Sequence, residues 1–372
     1  MEHSELFSER LDRIKTAVSL QAPDRVPVVL EYGSFAAHIT GTPLPEYLLN
    51  LKNSVNIMIE AFQRVTEKAP ADAINYGSFS PYLLSYLWLS KIGVPGVDLP
   101  DTASHQVLEK ELMKPEDYDA ILEKGWPAFH QEFIETRVLN DVPEKYWPLN
   151  QPAPDVLGQW TGIDTPVLSG GTIGTPFEFL CGGRSLTQFF MDLLKMPDKL
   201  QEVMDAMMPH LCAPACEGAK NNGFPTVWVG GWRTAPVMLS PQSWDRFVWP
   251  YFVQIVEEVL AQGLIPILHL DANWDRELAR FRELPKGKCI MALDGDTDIF
   301  KAKEILGDHM CLMGDVPPSM LVTDSPDEVY AYANRLIREV GKEGFILQSG
   351  CDIPENAKLE NVQAMVAAAN DS

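Results

Sequence analysis

The sequence predicts an α/β protein with a (β/α)8 TIM-barrel fold, a helical extension at the N-terminus and an insertion after the second strand. Short apolar runs alternate with helical patterns, which is typical of a parallel sheet covered by helices. Eight such runs occur along the 372 residues. Several of the later runs end in an ionisable or soft side chain, as expected where barrel strands deliver active-site residues at their carboxyl ends.

The predicted elements follow one another in the order that such a barrel requires. Residues 4–20 carry apolar side chains roughly on one face, which predicts an amphipathic helix before the first strand. Ser240 and Ser325 each precede a proline, a pattern that predicts a capped helix start, and Glu328 completes a capping box. The predicted strands lie at residues 26–32, 72–77, 165–170, 226–231, 265–271, 289–294, 310–314 and 345–350.

The long interval between the second and third strands, residues 80–164, is predicted to be an insertion over the barrel mouth. It is rich in Pro, Trp and Tyr and contains helical patterns at 115–124 and 128–139. This insertion could be a lid or a docking surface, or it could simply pack against the barrel without a function of its own. We expect the whole chain, residues 1–372, to form a single barrel domain. An open, doubly wound sheet is the alternative fold, but no glycine-rich phosphate loop follows the first strand.

Composition and charge exclude several classes of function. The net charge of −22 disfavours nucleic acid and anionic membranes as partners, because both are polyanions. No apolar run approaches the ~20 residues of a membrane helix, and the first residues lack a signal-peptide pattern. We therefore expect a cytoplasmic enzyme that acts on a small molecule. A homodimer is compatible with the sequence.

Two strand ends carry candidate metal ligands. His269 and Asp271 are two residues apart on one strand, so their side chains share a face. Cys351 closes the eighth strand, across the barrel mouth from the fifth. A set of N, O and S ligands is compatible with zinc and leaves a fourth position for substrate. A hydrogen-bonded core histidine and an inert cysteine are the alternative interpretation.

Further polar residues at strand ends are candidates for catalysis. Asp294 and Asp315 could orient His269, act as a general acid or base, or cap the following helix. Tyr76 ends the second strand and is a candidate for steering a proton. Four residues at the mouth are candidates for substrate binding: Glu31, Tyr32, Trp232 and Arg233. The aromatic residues around them suit a flat organic substrate.

At these residues the chain resembles the uroporphyrinogen decarboxylase superfamily, whose fold is the same barrel. Arg25-Val-Pro-Val28 resembles the opening strand of that superfamily, and the stretch from Phe177 to Asp198 resembles its middle segment. The stretch from Leu239 through His269-Leu-Asp-Ala-Asn273 resembles its S-P…P-Y…H-x-C-G-N pattern. Ser349-Gly-Cys-Asp-Ile-Pro354, with Glu360-Asn-Val362, resembles its ending.

The superfamily contains true decarboxylases and corrinoid-linked zinc methyltransferases. The decarboxylases carry an R-Q-A-G-R segment after the first strand, where this chain reads Glu31-Tyr-Gly-Ser-Phe35 without an arginine. The methyltransferases bind zinc through H-x-C…C, and Asp271 stands at the first cysteine of that pattern. A carboxylate in place of a thiolate makes zinc a harder Lewis acid, better matched to oxygen than to sulfur.

The resemblance therefore implies a zinc-dependent methyltransferase of the O-demethylase type. Its methyl donor would be a small aromatic methyl ether, such as a methoxyphenol, and its acceptor the cobalt of a corrinoid (cobalamin) on a partner protein. Three alternatives are open. They are a methyltransferase from methylcorrinoid to tetrahydrofolate or a thiol, a metal-free decarboxylase, and a binding paralogue without catalytic activity.

Overall fold

The structure is a computed structural model that describes residues 4–221 and 223–371. Its strands are β1 (Val29–Leu30), β2 (Ala73–Ile74), β3 (Lys91–Gly93), β4 (Gln106–Leu108), β5 (Ser169–Gly174), β6 (Thr226–Gly231), β7 (Ile265–Leu270), β8 (Ile290–Leu293), β9 (Cys311–Val316) and β10 (Phe345–Ser349). Its α-helices are α1 (Glu5–Val18), α2 (Phe35–Thr40), α3 (Leu44–Leu48), α4 (Leu51–Val65), α5 (Tyr82–Trp88), α6 (Glu116–Lys124), α7 (Trp126–Phe133), α8 (Val156–Thr161), α9 (Pro176–Arg184), α10 (Leu186–Lys195), α11 (Pro197–Met207), α12 (Cys212–Asn221), α13 (Pro241–Phe247), α14 (Trp249–Ala261), α15 (Ile299–Leu306), α16 (Pro318–Thr323), α17 (Pro326–Val340) and α18 (Leu359–Asn370). Short 3₁₀ helices span Glu144–Tyr146, Pro148–Asn150, Met208–His210, Pro236–Met238 and Leu278–Glu283, and a π-helical turn spans Ile134–Val138.

Eight of these strands form a closed parallel barrel. Strands β5 to β10 form one parallel sheet in sequence order, and β1 pairs with β2 in parallel. Single parallel bridges join Val28 to Leu347 and Ile74 to Val167, and these bridges connect the two-stranded sheet to both edges of the six-stranded one. The predicted (β/α)8 fold is therefore confirmed, with consecutive barrel strands adjacent throughout.

Side-chain alternation along β7 determines which residues enter the barrel. Ile265 and Ile267 pack in the apolar barrel interior, and His269 continues the same face towards the carboxyl end. Leu268 and Leu270, with the opposite parity, are fully buried in the layer between strands and helices. An apolar strand interior thus leads up to a polar residue at the barrel mouth.

Helix α1 closes the amino end of the barrel. Ile14, Ala17 and Val18 are buried against interior strand residues that include Val29 and Ile346. The helix begins after Ser4, whose side chain caps it by accepting a hydrogen bond from the amide of Phe7. The predicted N-terminal helical extension is therefore present, and it serves as the lower wall of the barrel core.

A buried carboxylate ties α1 to the first two barrel strands. Asp72, at the entry to β2, is inaccessible to solvent and pairs with Arg13 at 2.5 Å and Arg25 at 2.7 Å. Its second oxygen also accepts the amide of Val28 at 2.8 Å. Two guanidinium groups and an amide therefore compensate the charge of this buried side chain.

The segment between β2 and β5 contains α5 to α8 and an antiparallel hairpin of β3 and β4. Helices α6 and α7 cover most of the predicted helical patterns at 115–124 and 128–139. A buried pair between Arg184 and Asp192, 2.7 Å apart, fixes this segment to the barrel, because Tyr118 of α6 also donates to Asp192 at 2.8 Å. The predicted capping box of Ser325 and Glu328 is confirmed at the start of α17. Among the described residues, no helix has the length and apolar character needed to cross a bilayer.

Candidate metal centre

The structure brings His269, Asp271 and Cys351 together at the barrel mouth. Their potential ligand atoms all lie within 4.8 Å of one another. His269 Nε2 is 3.2 Å from Asp271 Oδ1. His269 lies on β7 and Asp271 directly follows that strand, whereas Cys351 follows β10. Because β7 and β10 are not adjacent in the sheet, the cluster spans the barrel mouth.

The spacing and chemistry of this cluster fit zinc. Ligands at ordinary zinc distances of about 2.0–2.3 Å in a tetrahedron stand about 3.3–3.8 Å from one another. The three donors are close enough to reach that arrangement by small side-chain movements. A histidine nitrogen, a carboxylate oxygen and a thiolate are all zinc ligands. His269 Nδ1 is buried without a hydrogen-bond partner among the described residues, so Nε2 is the nitrogen that faces the cluster.

Mutual hydrogen bonding governs the electrostatics of the cluster. Burial disfavours the imidazolium of His269, but hydrogen bonds with Asp271 and Cys351 outweigh burial and raise its pKa well above the usual value. Burial also raises the pKa of the Cys351 thiol, although His269 opposes this effect. Protons are therefore held among these donors, and a metal ion would displace them on binding.

A cavity of about 370 Å³ opens above the cluster, within the range of about 300–1,000 Å³ typical of small-molecule sites. Its polar floor contains the three cluster residues together with Glu31 and Asp352. Its walls are largely aromatic and aliphatic, and include Phe79, Leu83, Leu84, Leu87, Trp88, Val107 and Trp228. Most of these wall residues come from the segment between β2 and β5.

Glu31 occupies a fixed position in the cavity floor. Its Oε2 accepts hydrogen bonds from Asn75 Nδ2 at 2.6 Å and from Gln348 Nε2 at 2.7 Å. Asn75 in turn accepts a hydrogen bond from the hydroxyl of Ser169 at 2.7 Å. Residues in or directly after β10, β1, β2 and β5 thus form one polar layer at the mouth. The substrate-binding role of Glu31 stays a prediction.

Tyr76 and Asp352 form a second acidic unit beside the cluster. The Tyr76 hydroxyl donates a hydrogen bond to Asp352 Oδ1, and both side chains line the cavity. Burial, and then the neighbouring Glu31 carboxylate, raise the pKa of Asp352. Burial, and then Asp352, raise the pKa of Tyr76. Tyr76 was predicted from the sequence and Asp352 was not, although its position directly after Cys351 was a usable signal.

Tyr32 does not reach the cavity. It is fully buried and its hydroxyl donates a hydrogen bond to the carbonyl oxygen of Met58 in α4 at 2.8 Å. Because successive side chains of a strand point to opposite faces, Glu31 and Tyr32 cannot both face the barrel interior. The expectation that Tyr32 binds substrate is therefore wrong.

Trp232 and Arg233 lie behind the cavity wall. The Trp232 ring packs on Trp88 with centroids 5.2 Å apart, and of these two rings Trp88 is the one that lines the cavity. Arg233 is buried over Trp232, 4.0 Å from its ring centroid, and lies 3.8 Å from the Glu178 carboxylate. The expectation that Trp232 and Arg233 contact substrate directly is therefore wrong. Both residues pack behind Trp88.

The two predicted catalytic aspartates are outside the cavity lining. Asp294 accepts the amide of Ala272 at 2.6 Å and the amide of Asp296 at 2.9 Å, so it organises the loop that follows Asp271. Asp315 accepts a hydrogen bond from Tyr332 of α17 at 2.9 Å and therefore faces the helix layer. The expectation that Asp294 and Asp315 act as a general acid or base is therefore wrong. Asp294 instead positions the loop that follows Asp271.

The sequence of the carboxyl-terminal part of the barrel identifies the family. A sequence model described as "Uroporphyrinogen decarboxylase (URO-D)" matches residues 159–372, which is more than half of the chain. The chain belongs to the URO-D family. Both strands that carry the metal cluster, and all barrel strands from β5 onwards, lie inside the matched region of this URO-D domain.

Curated URO-D relatives are similar over part of their length. The uroporphyrinogen decarboxylase of Geobacter sulfurreducens is 26% identical over 205 residues, which cover 52% of this chain and 57% of that protein. The uroporphyrinogen decarboxylase of Trichodesmium erythraeum is 28% identical over 270 residues, covering 68% of this chain and 73% of that protein. For the Geobacter relative, the chain thus spans little more than half of the curated protein.

A solved structure resembles this URO-D chain over nearly its whole length. The "methyltransferase from Methanosarcina mazei" superposes with a TM-score of 0.72 and covers 96% of this chain and 97% of its own, at 18% sequence identity. At this identity the similarity establishes the fold. The shared fold also covers most of residues 1–158, which the family sequence model does not match.

Proposed function

We propose that this protein is a zinc-dependent methyltransferase that moves a methyl group from an aryl methyl ether to the cobalt of a corrinoid on a separate protein. The observation that carries the proposal is the convergence of His269, Asp271 and Cys351 on the floor of an aromatic cavity. The convergence of three ligand types of different chemistry within 4.8 Å supports a metal-dependent enzyme over a binding paralogue.

The ligand set supports an oxygen-bound methyl group as the one transferred. His269, Asp271 and Cys351 would hold the metal, with one thiolate where the related zinc pattern has two. When bound, zinc supplies a Lewis acid that stabilises negative charge on the ether oxygen. In the transfer the carbon–oxygen bond would break with its electron pair kept by the oxygen. The methyl group would pass, at the oxidation level of a cation, to Co(I) of the reduced corrinoid, which supplies the electron pair of the new carbon–cobalt bond.

Asp352 would donate a proton to the leaving oxygen, and Tyr76 would orient the carboxyl group of Asp352. Asp352 lines the cavity and directly follows Cys351, so its carboxyl group would be in position to donate a proton to the leaving oxygen. Tyr76 fixes the orientation of that carboxyl group through its hydrogen bond to Oδ1. Glu31, anchored by Asn75 and Gln348, completes the acidic floor without needing to move.

The apolar walls would position the aromatic ring and exclude water. Trp228 stacks on His269 with ring centroids 5.1 Å apart, which places an aromatic face beside the cluster. Phe79, Leu87 and Trp88 add further apolar surface to the same cavity. A dry cavity strengthens every electrostatic interaction with the reacting oxygen.

The similarity to a methyltransferase structure supports this function by analogy alone, because one fold can host several chemistries. A decarboxylase acting on a polycarboxylated tetrapyrrole is less well supported. Among the described residues that line the cavity, three are carboxylates (Glu31, Asp271 and Asp352) and none is Arg or Lys. Such a substrate would place its carboxylates beside these three without any compensating cation.

Anaerobic methyl transfer tests the proposal. The purified protein, with its metal content measured, is mixed with a reduced corrinoid protein and a panel of methoxyphenols that includes guaiacol. We expect methyl-cobalt to form in the corrinoid spectrum and the demethylated phenol to appear in equal amount. The His269→Ala and Cys351→Ala variants should lose both the metal and this transfer.

Two results would contradict the proposal. Full methyl transfer by protein that contains no metal would remove the role of the cluster. Reaction only between methylcorrinoid and tetrahydrofolate or a thiol, with no reaction of any aryl ether, would reverse the assigned direction.

A further inference from the structure

Two polar side chains on the cavity wall have no hydrogen-bond partner among the described residues. The Ser80 hydroxyl is buried, with the residue 2% exposed, and its oxygen is unpaired. The Nδ1 atom of His105 is likewise buried and unpaired. Both residues line the same cavity as the metal cluster. Burial of an unpaired polar atom costs free energy, and a ligand that supplies the missing hydrogen bond recovers it.

A chain of packed rings connects these two side chains to the acidic residues of the cavity. Tyr76, hydrogen-bonded to Asp352, packs on Phe79 with ring centroids 6.0 Å apart. Phe79 packs in turn on His105 at 5.4 Å, and Ser80 is the next residue in the chain. The wall therefore runs from the acidic floor past two aromatic rings to the unpaired polar atoms.

The charge of this end of the cavity is also defined. Burial lowers the pKa of His105, so the ring is neutral at physiological pH. The described lining residues include three carboxylates and no Arg or Lys. A hydroxyl group, which both donates and accepts, matches a neutral imidazole and a serine hydroxyl. A carboxylate could accept hydrogen bonds from both groups, but no Arg or Lys among the described lining residues would compensate its charge.

We propose that Ser80 and His105 form a specificity subsite that binds an uncharged hydroxyl substituent on the aromatic ring, distal to the methoxy group. This inference rests on the proposed function, because it assumes that the ether oxygen sits at the metal cluster. It narrows the substrate class to neutral methoxyphenols and excludes methoxybenzoates, which differ by one charged group.

Binding of three probes to the purified, zinc-loaded full-length protein tests the subsite without methyl transfer. The probes are 4-methoxyphenol, anisole and 4-methoxybenzoate, with dissociation constants from calorimetry or tryptophan fluorescence. We expect 4-methoxyphenol to bind about three- to tenfold more tightly than anisole, the effect of one neutral hydrogen bond. We expect 4-methoxybenzoate to bind more than about 100-fold more weakly than 4-methoxyphenol.

Variants then assign the effect to the two residues. Ser80→Ala and His105→Ala should each lower the affinity for 4-methoxyphenol about three- to tenfold and leave anisole within about twofold. His105→Asn, which restores an uncharged hydrogen-bonding group, should recover part of the loss. Ser85→Ala is the matched control, because Ser85 is a buried serine of α5 with an unpaired oxygen but does not line the cavity.

Equal affinity for 4-methoxyphenol and anisole, or tight binding of 4-methoxybenzoate, would overturn the subsite. Either result leaves methyl transfer from other aryl ethers unaffected, so this failure is distinct from failure of the proposed function. Conversely, the expected binding pattern without any methyl-cobalt formation would retain the subsite and reject the reaction.

Discussion

His269 Nε2 and Asp271 Oδ1 lie 3.2 Å apart at the end of one strand, with Cys351 completing the cluster from the other side of the mouth. The strand geometry explains the first two positions, because residues two apart share a face. The closed barrel explains the third, because the carboxyl ends of all its parallel strands meet around one opening. The cluster is thus a product of topology as much as of local sequence.

Loss of a single cluster residue should abolish metal binding. His269→Ala and Cys351→Ala are expected to weaken zinc binding by more than about 100-fold, since even partners outside the direct ligands change affinity by about 10–100-fold. Metal content after dialysis, measured by mass spectrometry, is the readout. His38→Ala, at an exposed residue of α2, and Cys216→Ala, on α12, are the matched controls and should retain metal. Zinc retained in both cluster variants would rule out this site.

Asp271→Cys should convert the cluster to two thiolates. We expect the variant to retain zinc but to transfer methyl groups from methoxyphenols about tenfold more slowly or worse, because the metal becomes softer. Asp271→Asn, which keeps an oxygen donor, should show a smaller change in oxygen preference. Turnover and metal content measured on the same preparations separate the two effects. An Asp271→Cys variant as active as the wild type on aryl ethers would show that this carboxylate does not set the preference.

Asp352→Asn should slow methyl transfer while leaving the metal bound. The side chain keeps its size and can still accept the Tyr76 hydroxyl, but it loses the proton that the leaving oxygen would take. General acid catalysis is worth about 10²–10⁴-fold, so we expect kcat to fall by at least about 100-fold. Glu360→Gln, at an exposed carboxylate of α18, is the control. An unchanged kcat in Asp352→Asn would assign the proton to another group.

Asp72→Asn should destabilise the whole barrel. The substitution leaves Arg13 and Arg25 facing a neutral group in a buried site, and breaking a buried pair costs about 3–5 kcal/mol. Urea unfolding measures the change. Asp24→Asn offers a matched comparison, because Asp24 also pairs with Arg13 but its side chain is 68% exposed, and such pairs are worth about 1 kcal/mol or less. Equal effects of the two substitutions would contradict the structural role of Asp72.

Asp315 should make stability fall as pH rises. Burial raises the pKa of Asp315 to about 7, from an ordinary value of 3.8. Between about pH 4 and pH 7 the folded chain therefore holds a proton that the unfolded chain releases, and its stability falls through this window. Asp315→Asn should remove this slope and stabilise the protein above pH 7, by about 4 kcal/mol at most. Unfolding midpoints at pH 4.5 and 7.5 provide the test, and a variant less stable than wild type at pH 7.5 would contradict it.

The order of the strands and the position of the cluster were predictable from the sequence, but the direction of several individual side chains was not. The apolar run before His269, and the chain order of the strands, were enough to predict the barrel and the convergence of the cluster. Tyr32 was misassigned because its strand was predicted without deciding which parity faces inward. Asp315 follows the inward parity of β9, yet its hydrogen bond to Tyr332 shows that it faces the helices. Whether a side chain at a strand end faces the barrel interior or the helices depends on local backbone geometry, which a periodic sequence pattern does not encode.

The cavity wall was the least predictable part of the site. Ser80 and His105 belong to the long segment after β2, which contributes them through a helix start and a hairpin rather than through barrel strands. Their role depends on contacts across many residues of sequence, such as the packing of Phe79 on His105. A single sequence contains no signal for contacts of this kind.

Helix α1 makes the cavity a dead end, since its apolar face fills the opposite opening of the barrel. In the proposed reaction, the small ether and the much larger corrinoid protein must then share one entrance. The ether has to enter first, because the docked protein would block its path, and the phenol has to wait until that protein departs. Steady-state kinetics should accordingly follow a compulsory order, set by a helix that touches neither reactant.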